Sequence, residues 1–506
     1  MQRLANSGVG GLLIPLGVAV VASLLLLPNL DRSYLWQDEA QHALLSRTIL
    51  SHGVPMGRDG LNSTSQEQGH DVGPDDTFRY HPWLPFYISA GAFATLGEST
   101  WTARFPFVVI GIATVVATYL LSLSLWRCRS TAVIAAGMLT FSVPYLLLVR
   151  QCRYYSPLAF FLLLGVWVYV ELVRGKKWAP YALAIVATLL MHTLHLYAAV
   201  FLAAVVVHMA IWERALWKQV MIPAVAVAVI HIPWVIWISA VIEYGHAATV
   251  ERMLGFGLWF AWRMVAHVFT PVIIVAAFAL AVARKRKGIA IVTLERDQRA
   301  GAYLIALLVA IGLALLAARA PYTFFRYLAP FPPLAAVIGA PILISVFRTS
   351  RELGTLAALA LGIWYLIPMG LAKLPAELLQ PHNGPIRGIV EHLREHGESG
   401  DIVFITYGDM PVKFYLPELR VYGVGLTEET LRGAGNATWC VPRNTPMGHT
   451  KAELYKFMQT IITTDRFEMI PLDAPDLPYE NREDVREHYF VTPEGTPPVR
   501  LFHRVK

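Results

Sequence analysis

The sequence predicts a polytopic α-helical membrane protein with a small α/β domain at its carboxyl end, outside the bilayer. Three observations carry this. Of 506 residues, 56% are hydrophobic and only 15% charged. The apolar residues fall in long blocks instead of helical or alternating stripes. From about Ala376 onward the composition changes, with charges throughout and short β-rich runs alternating with helical ones.

The first block, "GVGGLLIPLGVAVVASLLLLPNL", is longer than a signal-peptide core and is followed by no small-residue cleavage pattern, so it is expected to be a retained span. Stretches long enough to cross lie at roughly 9–29, 103–125, 130–149, 156–173, 178–192, 195–212, 218–241, 259–283, 301–318, 327–347 and 353–372. About eleven transmembrane helices are therefore expected, the shorter ones marginal against the ~20 residues a bilayer requires. With the amino terminus cytoplasmic, Arg127/Arg129, Arg174/Lys176/Lys177, Arg214/Lys218, the basic cluster at 284–287 and Arg348/Arg351 all fall inside, as the positive-inside bias demands. The net charge of +7 is thus explained by loop orientation, and nucleic-acid binding is excluded as a reading.

That alternation requires the apolar segment "HPWLPFYISAGAFATLG" (81–97) not to cross, and its two prolines and modest length suit a helix along the interface. Residues 30–102 then form one large external loop carrying juxtamembrane helices. Between 30 and 81 it holds eight acidic residues against four arginines, which suits an external face. The expected domains are a membrane domain at 1–375 and a soluble extracytoplasmic α/β domain at 376–506, large enough to bury its own core. Cys128, Cys152 and Cys440 lie far apart and indicate neither a metal knuckle nor a disulfide framework.

Polar residues at helix ends collect on the outer face: Asp38, Glu39 and His42; Tyr80 and His81; Arg150, Arg153, Tyr154 and Tyr155; His192 and His195; Glu243, His246, Glu251 and Arg252; Arg319, Tyr322, Arg326 and Tyr327. Carboxylates beside arginines and aromatic rings at headgroup level suggest a pocket for a lipid phosphate and the polar group it carries, because guanidinium groups bind phosphate oxygens bidentately.

"LWQDEAQHALLSRTILSHGVP" resembles the first-loop signature of the GT-C glycosyltransferases of the protein-mannosyltransferase and aminoarabinose-transferase type. "RYHPWLPFYISAGAFATLGESTWTARFPFVVIGIATVVATYLLS", "RQCRYYSPLAFFLLL" and "FFRYLAPFPPLAAVIGA" are similar to later blocks of that family, in order, over about residues 30–350. The resemblance implies a GT-C fold in the cell (inner or plasma) membrane and inverting transfer of a sugar from a polyprenyl-phosphate carrier to an acceptor glycan, lipid or protein on the extracytoplasmic face.

It further implies that Asp38 and Glu39 are the catalytic carboxylates, with Asp38 the general base. Arg326 and then Arg153 would stabilise the leaving phosphate, with Tyr154, Tyr155, Tyr327 and His81 as further donor contacts. A divalent metal is left open, the candidate ligands being Asp38, Glu39, His246 and Glu251. Two other classes compete: a transporter or flippase of a lipid-linked glycan, and a non-catalytic relative that binds lipid carriers. Transporters gather ionisable residues at mid-membrane, whereas here the span centres are nearly free of charge.

Overall fold

The computed structural model describes residues 10–239, 249–285, 294–379, 384–424, 428–443, 448–477 and 495–505. These residues are mostly helical, with one small sheet near the carboxyl end. Helices occupy the apolar blocks because a backbone in lipid has no polar partner other than itself. Thr100–Trp126, Tyr155–Val173, Arg214–Ile238, Val250–Arg284, Arg296–Arg319 and Phe331–Thr349 are long and apolar enough to cross a membrane. The stretch expected to span at 130–149 is instead broken: Arg129–Thr140 and Val143–Val149 meet at 65°. Pro144 stands in the first turn of the second piece, where its ring and missing N–H prevent a continuous helix from running through.

At 9–29, 178–192, 195–212 and 353–372 the helices are Gly10–Leu26, Ala179–Thr193, His195–Ile211 and Arg351–Leu366, of 17, 15, 17 and 16 residues. All four are shorter than the ~20 residues of a full crossing. The segment expected to lie along the interface holds Leu84–Leu96, 13 residues, or about 20 Å at the usual helical rise. It packs on Gln37–His52, with Phe86 and Ala90 against Leu45 and Ile49.

Gln37–His52 carries the acidic pair. Ala40, Ala43, Leu44 and Leu45 are fully buried, and the helix stops at Gly53, whose φ of 76° is left-handed and open to glycine at no steric cost.

The sheet is built from β1 (Ile402–Ile405), β2 (Arg420–Tyr422), β3 (Trp439–Val441), β4 (Phe467–Pro475) and β5 (Pro498–Arg504). Their spatial order is β2-β1-β3-β5-β4. β1 is parallel to both β2 and β3, while β5 runs antiparallel to β3 and β4. Each face has its own core. Ile389, Val390 and Leu393 of the Pro385–His396 helix pack with Val403 and Ile405 on one side, and Met458 of the Gly448–Thr464 helix packs with Phe404 and Cys440 on the other. Strand residues buried on both faces give the near-continuous apolar run "IVFI".

A third cluster joins the two halves. Leu35, Ala40 and Leu44 of the first loop, Phe107 of the Thr100–Trp126 helix, Cys152, and Met410 and Phe414 near the sheet bury one another. The first-loop helix is thus gripped from both sides.

Candidate active site

Asp38 lies in the first turn of Gln37–His52, where a carboxylate favours the unsatisfied N–H groups of a helix start. Its carboxylate is about one-fifth exposed and meets two guanidinium groups from remote segments. Nη2 of Arg153 and Nη2 of Arg326 each stand 3.6 Å from Asp38 Oδ2. Arg153 also donates from Nη1 to the Asp38 backbone carbonyl at 3.1 Å. Arg153 precedes the Tyr155–Val173 helix, and Arg326 sits in the short 3₁₀ turn Phe325–Leu328 ahead of Phe331–Thr349. At 3.6 Å both pairs fall outside hydrogen-bond range, so these charges attract Asp38 without saturating its lone pairs.

Aromatic rings line the same place. The Arg326 guanidinium lies 3.9 Å from the Phe324 ring centroid and 5.4 Å from that of Trp36, and Arg153 lies 5.3 Å from that of Tyr154. The Tyr154 and Tyr155 rings meet edge to face at 4.8 Å. Tyr327 keeps its carbonyl occupied by the Tyr197 hydroxyl, and its ring packs toward Phe324 and Phe260. Trp36 Nε1, Arg153 Nε, Tyr155 Oη and His195 Nε2 are buried without a hydrogen-bond partner in the protein. Buried polar groups are seldom left so, and four of them gathered here suit a polar ligand.

His81, partly buried, sits 6.0 Å ring to ring from Tyr154. Loss of hydration, then the guanidinium of Arg153, then His195 and Arg326, hold its imidazole far down, at about 3. It therefore offers a neutral ring, a hydrogen bond and no charge. His42, fully enclosed, is also held well below the usual range, first by burial and then by Arg153; its Nε2 reaches the Pro85 carbonyl at 3.0 Å and Ser89 Oγ at 3.1 Å.

Glu39, expected beside Asp38 as a second catalytic carboxylate, points elsewhere. It is fully buried, and Arg104 grips it in a fork, Nε to Oε1 at 2.9 Å and Nη2 to Oε2 at 2.6 Å. The Cys152 amide adds a third bond to Oε1 at 2.7 Å. Both oxygens are taken, so no proton or metal can be handled there without dismantling the contact. The remaining Arg104 N–H groups close the loop before the helix, donating to the carbonyls of Leu30 at 2.7 Å and Ser33 at 2.9 Å.

Arg150 and Arg252, also grouped with the site from sequence, serve as caps. Arg150 donates to the carbonyls of Leu26 and Pro28 at 2.6 and 2.8 Å, past the end of Gly10–Leu26. Arg252 donates to those of Ala320 and Pro321, both at 3.1 Å. His192 and His195 pack around Trp234. Of the candidate metal ligands, His246 lies outside the described residues, as does Glu243, and Glu251 is exposed at a helix start. Among the described residues no three His, Cys, Asp or Glu side chains gather to hold an ion.

Arg104 escaped the sequence reading, though a signal existed. An arginine just inside the apolar stretch at 103–125 needs a partner. Trp36 and Gln37 carried no such signal.

No family model matches the chain, and no curated protein does. Solved structures do. ArnT from Cupriavidus metallidurans bound to undecaprenyl phosphate superposes with a TM-score of 0.59 at 13% identity, covering 98% of both chains. The same enzyme in its apo state gives 0.59 and 13%, over 97% of this chain and 98% of that one. The arabinofuranosyltransferase AftD from Mycobacteria reaches only 0.43 at 13% identity, over 96% of this chain and 40% of its own. A superposition that leaves out almost nothing of either chain shows that this protein shares the overall fold of ArnT.

Proposed function

We propose that this protein is an inverting glycosyltransferase that moves a sugar from a polyprenyl-phosphate carrier to an acceptor hydroxyl on the extracytoplasmic face of a cell membrane. The observation that carries this reading is the Asp38 carboxylate set between the Arg153 and Arg326 guanidinium groups, 3.6 Å from each. ArnT, which shares the fold, has been solved with undecaprenyl phosphate bound, and a phosphate on a lipid is the ligand that two arginines at a membrane lip would hold.

Asp38 takes the proton of the acceptor hydroxyl as its oxygen attacks the anomeric carbon from the face opposite the phosphate. The bond between that carbon and the phosphate oxygen breaks, and the carrier phosphate leaves as an anion needing no proton donor. Arg153 and Arg326 stabilise its charge, which grows in the transition state. Neutral His81 and the Tyr155 hydroxyl supply further hydrogen bonds, while Tyr154 and Tyr327 flank the sugar. Glu39 enters this scheme as framework, not as a second base. No metal step is assigned.

The same reading places the amino terminus in the cytoplasm, sets residues 376–506 outside, and gives the membrane domain 1–375 an external loop at 30–102.

The test is purified protein in nanodiscs, given a panel of radiolabelled polyprenyl-phosphate sugars, with release of carrier phosphate followed. Asp38→Asn is expected to lower turnover by ~10²–10⁴-fold, the usual worth of a positioned base, with folding retained. Near-normal turnover by that variant would remove Asp38 from the mechanism, while absence of transfer by the parent protein from every donor would leave a carrier-binding protein or flippase.

A further inference from the structure

The helix that presents Asp38 is not fixed by its own sequence. Trp36 occupies the N-cap position with extended backbone and provides no side-chain cap, so the first turn must be held from outside. One holding point is Glu39, locked to Arg104. The other comes from the opposite end of the chain. Gln37, 2% exposed, donates from Nε2 to Asp409 Oδ1 at 2.8 Å and accepts from the Met410 amide at 3.4 Å. Asp409 is in turn paired with Lys413 at 2.7 Å, with side-chain exposures of 0% and 4%, and Lys413 donates to the Ser63 carbonyl at 2.9 Å.

Four more bonds extend this seam. The Tyr415 hydroxyl accepts from the Leu35 amide at 2.9 Å and contacts Thr100 Oγ1 at 2.5 Å. Asn62 donates to the Leu419 carbonyl at 2.9 Å and accepts from the Val421 amide at 2.8 Å. A charge pair this deeply buried stabilises little by itself, because both ions lose their hydration. Its bonds to Gln37 and Ser63 make it a register device.

We propose that the Asp409–Tyr415 helix of the C-terminal α/β unit is a clamp that positions Asp38, with Gln37 and Asp409 as positioning residues for transfer. The inference rests on the glycosyltransferase reading above. Asp38 is bracketed by two tethered neighbours, Gln37 to the sheet unit and Glu39 to the membrane helices, so the carboxylate takes its place only when both halves are docked. A base displaced by about an ångström loses roughly a hundredfold in rate.

The test uses full-length Gln37→Met, which removes these two hydrogen bonds and a third to Gln66 Oε1 at 3.3 Å at similar volume, and Tyr415→Phe, which removes the bridging hydroxyl but keeps the ring stacked on Tyr34 at 4.2 Å. With the best donor from the panel, kcat is expected to fall about tenfold to a hundredfold in Gln37→Met and less in Tyr415→Phe. KM for that donor, binding of undecaprenyl phosphate alone and the thermal midpoint should stay near the parent values. Parent kcat in both variants overturns the clamp and leaves Asp38 as base; so does a loss of kcat that only tracks lost carrier binding or unfolding. Absence of transfer by the parent protein from every donor overturns the glycosyltransferase reading itself, and this inference with it.

Discussion

Two carboxylate–arginine contacts stand one residue apart, and their geometries are opposite, one closed and one open. Glu39 and Arg104 meet in a closed fork at 2.6 and 2.9 Å, with side-chain exposures of 0% and 9%. Asp38 faces two arginines at 3.6 Å and keeps about a fifth of its side chain exposed. The fork and the Cys152 amide together commit three lone-pair positions of Glu39 to the framework. In the proposed reaction, it is the open arrangement that gives Asp38 room to take a substrate proton. The same residue types in the same turn of helix can thus sit in a closed or an open contact, and the packing around them decides which.

Three further measurements would break or sharpen that contrast. The largest effect is expected at the closed pair. Glu39→Gln leaves a buried Arg104 charge without its partner, which costs about 3–5 kcal/mol, and the loss should appear as a lowered midpoint in denaturant or heat. An unchanged midpoint with abolished transfer would return Glu39 to the chemistry.

At the open pair, Arg326→Lys keeps the charge but not the planar fork that matches phosphate. Transfer is expected to drop about tenfold to a hundredfold, roughly 1.4–2.8 kcal/mol by the usual conversion, with little change in stability. Equal damage to stability would mean that Arg326 also belongs to the framework.

The smallest effect is expected at His81 and depends on pH. Its folded-state value, about 3 against an ordinary 6.5, is depressed, so the unfolded chain binds the extra proton first. Stability from this group is therefore fully present above about 6.5 and is lost as pH falls toward about 3. His81→Gln should flatten the fall of the thermal midpoint over that interval; partial exposure of the ring keeps the change small. A fall just as steep in the variant would assign the acid sensitivity elsewhere.

The external loop shows how far sequence reasoning reached and where it stopped. The segment at 81–97 was excluded from the spans because counting it would have inverted every later loop, and it holds a 13-residue helix lying against Gln37–His52. The break at Phe141–Ser142 was not anticipated, since a block of apolar composition looks the same whether straight or bent. Arg153, Arg326 and Asp38 belong together in sequence as polar residues at helix ends on the outer face, and the structure brings them together. Arg150 and Arg252 were grouped on the same grounds, and they cap backbone carbonyls instead.

Sequence alone determined the class of this protein and its parts: hydropathy and charge are properties summed along the chain, and a bilayer reads them segment by segment. Tertiary structure alone decided which arginine meets which carboxylate, and that the seam between Gln37 and Asp409 exists at all. Partners 372 residues apart leave no periodic mark on one another, because a single side-chain contact depends on how helices pack in three dimensions and not on the residues lying between.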